Sequence, residues 1–387
     1  MSQTKVPVLD LKPQYQAIRT EIQIAINRVL ESGQFILGAE VTQFEAAAAA
    51  YLGVKHAIGV NSGTDALIIS LRALNIGPGD EVITTPFSFF ATAESISNVG
   101  ATPVFIDIEA SSFNLDPQQL RAHITDRTKA ILPVHLYGNP AAMAQILEVA
   151  AEYGLKVVED CAQAFGAAYK GDCAGCDAVC QSATRDRLLG KRVGAIGDVG
   201  TFSFFPTKNL GAYGDAGLIT TNDDTVAELA RKLRVHGAQQ RYHNEMLGYN
   251  SRLDAIQAAI LRVKLPYVDQ WNQQRRQIAA IYNRLLADVA PVITPMMTSG
   301  HVFHQYTVRI LQGKRDAVKA YLGERGIGSM VYYPLPQYRL PVYDGQFPSC
   351  TVSEQMATEV LSLPIWPELE ESAQKQVAAT LAEATAQ

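Results

Sequence analysis

Short apolar runs alternate with stretches in which apolar residues return every three or four positions, and the alternation persists from residue 56 to residue 235. Read as strands, the runs are His56–Val60, Glu81–Thr84, Thr102–Ile106, Ala130–Val134, Lys156–Val158, Thr201–Phe204 and Gly217–Thr220. Between them the helical period predicts helices over Asp65–Leu74, Ala91–Asn98, Met143–Tyr153 and Thr225–Val235. Connections of this length suit parallel neighbours, since antiparallel ones need only a hairpin. The expected class is α/β, a mostly parallel sheet with helices on both faces. From Leu253 a helical pattern continues through Ile256, Ala259, Ile260 and Val263, then beyond Pro266 through Trp271 and Ile278. A strand over His304–Ile310 and a helix over Asp316–Gly323 follow. This divides the chain into a large domain, 1–252, and a smaller C-terminal α/β domain, 253–387. No internal repeat is visible.

Composition narrows the function. A chain of 387 residues with 48% hydrophobic content can bury a large core. A formal charge of −5, with no dense block of lysine and arginine, argues against nucleic acid and favours small-molecule chemistry. The first residues, Met1–Pro7, lack the apolar run of a signal peptide, and no later uncharged stretch is long enough to span a bilayer. The expectation is a cytoplasmic protein without a membrane partner. Five cysteines, an odd number, fit a reducing compartment. Three of them, Cys173, Cys176 and Cys180, are clustered, and the first pair has the two-residue gap of zinc and redox motifs. A fourth ligand is missing nearby, so the segment reads as an insertion with incidental thiols and no metal is assigned, while a metal or redox role stays open.

Candidate chemistry gathers where strands end. In Asn61-Ser62-Gly63-Thr64-Asp65 a strand gives way to a glycine turn and a helix, which points free N–H groups at an anion, although the same residues make an ordinary N-cap. Asp160 lies at the end of the strand Lys156–Val158 and can face a protonated ring nitrogen. Lys208 follows the strand carrying Ser203 and precedes a glycine turn, a setting for a lysine that forms a Schiff base with pyridoxal phosphate, though a surface charge is the commoner fate of a lysine there. Within Pro86-Phe87-Ser88-Phe89-Phe90 an aromatic ring can stack on a bound ring, and core packing accounts for most of these phenylalanines.

Together these motifs are specific. With Leu9-Asp10-Leu11-Lys12-Pro13, Gly33-Gln34-Phe35-Ile36-Leu37-Gly38, Glu159-Asp160-Cys161-Ala162-Gln163, Ser203-Phe204-Phe205-Pro206-Thr207-Lys208-Asn209 and Gly248-Tyr249-Asn250-Ser251-Arg252, the chain resembles the DegT/StrS family of pyridoxal phosphate-dependent nucleotide-sugar aminotransferases. The resemblance implies the aspartate aminotransferase-like fold, type I. It implies Lys208 as the Schiff-base lysine, Asp160 on the pyridinium nitrogen, Gln163 on the ring's phenolic oxygen and Phe89 stacked on the ring. Gly63, Thr64 and Ser203 would hold the phosphate, with Asn250 reaching it from the other subunit of a homodimer. Glutamate is the implied amino donor and a nucleotide-linked keto sugar the acceptor, most similar to UDP- or dTDP-linked 3-keto sugars, for polysaccharide or amino-sugar biosynthesis. Arg241 is the candidate for a sugar carboxylate, and His304, Tyr332 and Tyr333 for the pocket wall. Relatives that catalyse dehydration carry histidine in place of the lysine, so Lys208 favours amino transfer over a dehydratase or lyase. A regulatory reading finds no helix-turn-helix with a basic face. Two features depart from the family pattern: roughly twenty residues intervene around 172–190, a long loop, and Gln337-Tyr338 stands where many members have Leu-His.

Overall fold

A computed structural model describes residues 5–171, 182–240 and 242–386. Seven strands form the main sheet: β1 (His56–Val60), β2 (Glu81–Thr84), β3 (Thr102–Phe105), β4 (Thr128–Leu132), β5 (Lys156–Asp160), β6 (Val199–Ser203) and β7 (Gly217–Thr221). Their order is β1-β7-β6-β5-β4-β2-β3, with β7 antiparallel to both neighbours and the other pairs parallel. The expected mostly parallel sheet is therefore present. Its strands are buried along nearly their whole length, as expected of a sheet covered on both faces.

All seven expected strands are present, with local shifts that have physical reasons. Strand β4 ends at Leu132 because Pro133 has no N–H to donate to the ladder. Pairing resumes beyond it, where Asp160 N–H donates to Pro133 O at 2.9 Å and His135 N–H to Asp160 O at 3.0 Å. The helix Met143–Tyr153 stops where Gly154 takes φ 68° and returns its N–H to Ala150 O. Asp223 caps Asp224–Leu233 by accepting from Thr225 and Val226 N–H. The helices Arg19–Ser32 and Ala39–Leu52 carry no counterpart in the strand-and-helix reading above. The second buries Phe44, Ala48 and Leu52, four residues apart, on one face.

The helical pattern after Leu253 is two helices, Ala255–Lys264 and Val268–Leu286, joined by a 3₁₀ turn holding Pro266. The first packs on Arg19–Ser32 and Ala39–Leu52. The second carries Ile278, Tyr282 and Leu286 into a separate core, where Tyr282 stacks on Tyr306 at 4.9 Å between centroids. A short hairpin, β8 (Ala238–Gln240) and β9 (His243–Asn244), precedes these helices. Beyond them β10 (Val292–Ile293), β11 (Tyr306–Ile310) and β12 (Val360–Leu363) form an antiparallel sheet, covered by Arg315–Glu324 and Glu371–Thr385. Val6 also enters this core, bridging to Ile327. Among the described residues no helix is long and apolar enough to cross a membrane.

Candidate active site

Strands β1 and β6 both run against β7, so they are parallel to each other, and their C-terminal ends share an edge with those of β2 and β5. A cavity of about 660 Å³ opens along that edge, the usual place for ligands in such a sheet. After β1 the chain turns at Ser62, whose Oγ accepts Asp65 N–H at 3.1 Å, and enters the helix Gly63–Ala73. The first N–H groups of this helix have no intrahelical acceptor, and its positive end faces the cavity. A Cβ on Gly63 would stand 2.6 Å from Ser203 Cβ, so glycine is what lets the helix start lie against β6. The three expected phosphate residues, Gly63, Thr64 and Ser203, are thus brought together at the cavity wall.

Asp160 and Lys208 line the same cavity. Asp160 is buried, with Oδ1 accepting Ala162 N–H at 3.1 Å and Oδ2 accepting the Thr92 hydroxyl at 2.9 Å. Burial pushes its carboxyl upward, opposed by these two donors, Lys208 and His135. Lys208 is reached through the cavity but otherwise enclosed by protein, and that enclosure pulls its ammonium down to about 8 although Asp160 pulls the other way. Desolvation wins, and the result is an amine near the balance between base and acid at neutral pH. The backbone holds it there. Lys208 N–H donates to Phe205 O and Ala212 N–H to Phe204 O, and a Cβ on Gly211 would meet Pro206 O at 2.3 Å.

Gln163 is pinned at both ends of its amide, since Oε1 accepts Tyr137 N–H at 2.6 Å and Nε2 donates to Tyr333 Oη at 3.0 Å. The second amide hydrogen has no partner among the described residues. Tyr333 therefore joins Gln163 at the wall, and Tyr332 lines it too. His304 is buried beside them, with Nδ1 3.1 Å from Asn209 Oδ1. The amide of Asn209 uses its NH₂ on Asn272 Oδ1 and Val302 O, so its oxygen accepts and His304 donates from Nδ1. Burial, with Lys208 and Arg275 nearby, holds the imidazole well below its ordinary range and therefore neutral.

The phenylalanine segment divides as its setting requires: Phe87 is fully buried, while Phe89 is 60% exposed and lines the cavity. Asn250 is exposed and is not among the residues lining its own chain's cavity. Arg241 and the cysteines at 173, 176 and 180 lie outside the described residues. Behind β5, His135 Nε2 meets Glu159 Oε2 at 3.0 Å, and Glu159 Oε1 accepts Ile196 and Gly197 N–H. These bonds fasten the strand that ends in Asp160.

Several contributors escape a reading by strand ends. Ser88 and Thr92 sit four apart across a helix start, a spacing that puts both on one face. Tyr137 and Asn272 act through distant contacts that no local pattern announces. Asn209 follows Lys208 directly and could have been suspected from that adjacency alone.

An anion cradle at a helix start, a carboxylate for a ring nitrogen and an amine of depressed basicity in one cavity match the phosphate, pyridine and aldehyde of pyridoxal phosphate. With this sheet they define a pyridoxal phosphate-dependent aminotransferase of fold type I. The chain belongs to the DegT/DnrJ/EryC1/StrS aminotransferase family, whose model matches residues 16–382. It is 50% identical to a pleiotropic regulatory protein of Geobacillus stearothermophilus, covering 98% of each chain. It is 44% identical to a UDP-N-acetyl-3-dehydro-alpha-D-glucosamine 3-aminotransferase of Acidithiobacillus ferrooxidans, covering 98% of this chain and 97% of that one. Among solved structures, DesV of S. venezuelae, crystallised with a ketimine intermediate, superposes with a TM-score of 0.91 at 43% identity over 99% of both chains.

Proposed function

We propose that the protein transfers an amino group from glutamate to a nucleotide-linked 3-keto sugar, UDP- or dTDP-linked, in the cytoplasm and as a homodimer. The observation that carries the reading is the placement of Lys208 and Asp160 in one cavity that the helix start at Gly63 and Thr64 also lines. Bound pyridoxal phosphate supplies an aldehyde that accepts the amine and a ring that takes up electron density from the substrate carbon. The chain's own residues do the rest. Gly63, Thr64 and Ser203 anchor the phosphate, Phe89 covers the ring, and Asp160 takes the hydrogen bond from the ring nitrogen. The free hydrogen of Gln163 Nε2 is the donor for the phenolic oxygen. Lys208 Nζ, once free of the aldehyde, would take the proton from the substrate carbon and deliver it to the former aldehyde carbon, the reverse transfer serving the keto sugar, a role that its lowered basicity suits. His304 Nε2, neutral and without a hydrogen, is an acceptor for a sugar hydroxyl, with Tyr332 and Tyr333 alongside. Arg241 is assigned to a sugar carboxylate.

The relative acting on a UDP-linked 3-keto sugar supports the acceptor class. The two unpaired cysteines among the described residues, Cys161 and Cys350, suit a reducing compartment. The test is a single turnover. Glutamate added to the loaded protein should bleach the aldehyde chromophore and release one equivalent of 2-oxoglutarate, and nucleotide-linked 3-keto sugars, not 4-keto sugars, should restore the colour. Restoration by 4-keto sugars alone would overturn the 3-keto assignment; no 2-oxoglutarate would overturn the amino-transfer reading and point to a dehydratase or lyase.

The exposed position of Asn250 outside its own cavity supports its service to a partner site. Lys208→Ala and Asn250→Ala chains, each impaired as a homodimer, should recover activity when mixed and re-associated. A hybrid then contains one site with Lys208 from one chain and Asn250 from the other. No recovery from demonstrated hybrids would place Asn250 in the same chain's site.

A further inference from the structure

The carboxylate of Asp160 faces a hydrogen-bonded chain that the catalytic reading leaves unused. Thr92 Oγ1 donates to Asp160 Oδ2 at 2.9 Å, and Ser88 Oγ lies 2.9 Å from Thr92 Oγ1. All three side chains are buried. A threonine hydroxyl has one hydrogen, and here it is spent on the carboxylate, so the hydrogen between the two hydroxyls belongs to Ser88. The chain therefore has a direction, Ser88 to Thr92 to Asp160, and each donor polarises the next. Ser88 and Thr92 occupy one face of the entry into the helix Ala91–Asn98, and the backbone there is fixed independently by Glu94 N–H on Phe90 O and by Gln337, whose side chain accepts Ala93 N–H and donates to Phe89 O.

We infer that Ser88 and Thr92 form a directed relay that keeps Asp160 ionised and aimed at the ring nitrogen, with Thr92 as the positioning residue. The inference rests on the cofactor placement proposed above. The need for such a relay is electrostatic. Among the described residues Lys208, His135, Tyr333 and Cys161 interact electrostatically with this carboxylate, and of these Tyr333 and Cys161 are neutral at pH 7 with basicities pushed up by burial. His135 accepts Ala141 N–H at Nδ1 and turns Nε2 to Glu159, so it gives no hydrogen bond to the carboxylate of Asp160. When Lys208 is engaged with the aldehyde, the hydroxyl relay and Ala162 N–H are the hydrogen-bond donors that remain to oppose desolvation. A protonated Asp160 would donate a hydrogen bond to the ring nitrogen instead of accepting one, and the ring would lose its positive charge.

The test is equilibrium binding, read by fluorescence quenching, of pyridoxal phosphate and of its analogue with carbon in place of the ring nitrogen. Thr92→Val should weaken pyridoxal phosphate about 10-fold, the size of one hydrogen bond to a charged group, and leave the carbon analogue unchanged or tighter. Thr92→Ser should restore wild-type affinity. Ser88→Ala should act in the same direction by about 3-fold, as a donor one bond removed, and carries the test by itself if Thr92→Val does not fold. Equal weakening of both compounds would mean that Thr92 merely supports the fold, and no weakening of either would mean that the relay is idle; each overturns the inference. Failure of the wild-type protein to bind either compound would overturn the cofactor placement beneath it.

Discussion

Lys208→Ala should abolish amino transfer in both directions while leaving the protein folded. General acid–base catalysis by a positioned group contributes about 10²–10⁴-fold, and Lys208 is assigned covalent capture of the aldehyde besides, so the glutamate half-reaction should fall by about 10⁴-fold or more. Folding should survive, because the side chain is a liability to the empty protein: enclosure disfavours its charge and Asp160 only partly repays that. The sign is testable. With a folded value of about 8 against an ordinary 10.5, the unfolded chain holds more protons at this site between those values, so the empty wild-type protein should gain stability as pH rises through that window. The alanine variant should lack that gain. Single-turnover absorbance gives the rate and denaturant titration at several pH values gives the stability; a variant turning over within tenfold of wild type would remove Lys208 from the mechanism.

The sheet was legible because a strand buried on both faces must be apolar throughout, and each of the seven runs is bounded by a glycine, proline or polar turn. Where bounds moved, a single atom explains it, as with the missing N–H of Pro133 at the end of β4. Gly63, Asp160, Ser203 and Lys208 were legible for a related reason: parallel strands deliver their C-terminal ends to one edge, so polar residues there converge without any knowledge of long-range contacts. Thr92 and Gln163's partners were not. Thr92 reaches Asp160 across 68 positions of sequence and Tyr333 reaches Gln163 across 170, and nothing in a local pattern encodes such meetings. The helices Arg19–Ser32 and Ala39–Leu52 illustrate a different loss. The alanine-rich run of Ala39–Leu52 gives a weak period, whereas Arg19–Ser32 carries Ile22, Ala25 and Val29 at helical spacing and could have been read from it; Ala255–Lys264 packs against both.

Asp160→Asn keeps the shape of the side chain and removes its charge, and it should cost about 10³-fold in the glutamate half-reaction, the range seen when one preorganised electrostatic partner is lost. The amide no longer offers an anion to the ring nitrogen, while Ala162 N–H and the Thr92 hydroxyl, which now point at a neutral group, are still buried. Two consequences separate this loss from general disruption. Asp160 raises the basicity of Lys208, so in the empty variant the lysine should titrate still further below its ordinary value, measurable as the pH dependence of its acylation by acetic anhydride. Thr92 acts through Asp160, so Thr92→Val should add nothing in the Asp160→Asn background, whereas independent contributions would sum. A double variant that binds pyridoxal phosphate as weakly as Asp160→Asn alone places both residues on one path to the ring nitrogen; additive losses would mean that Thr92 and Asp160 serve the site separately.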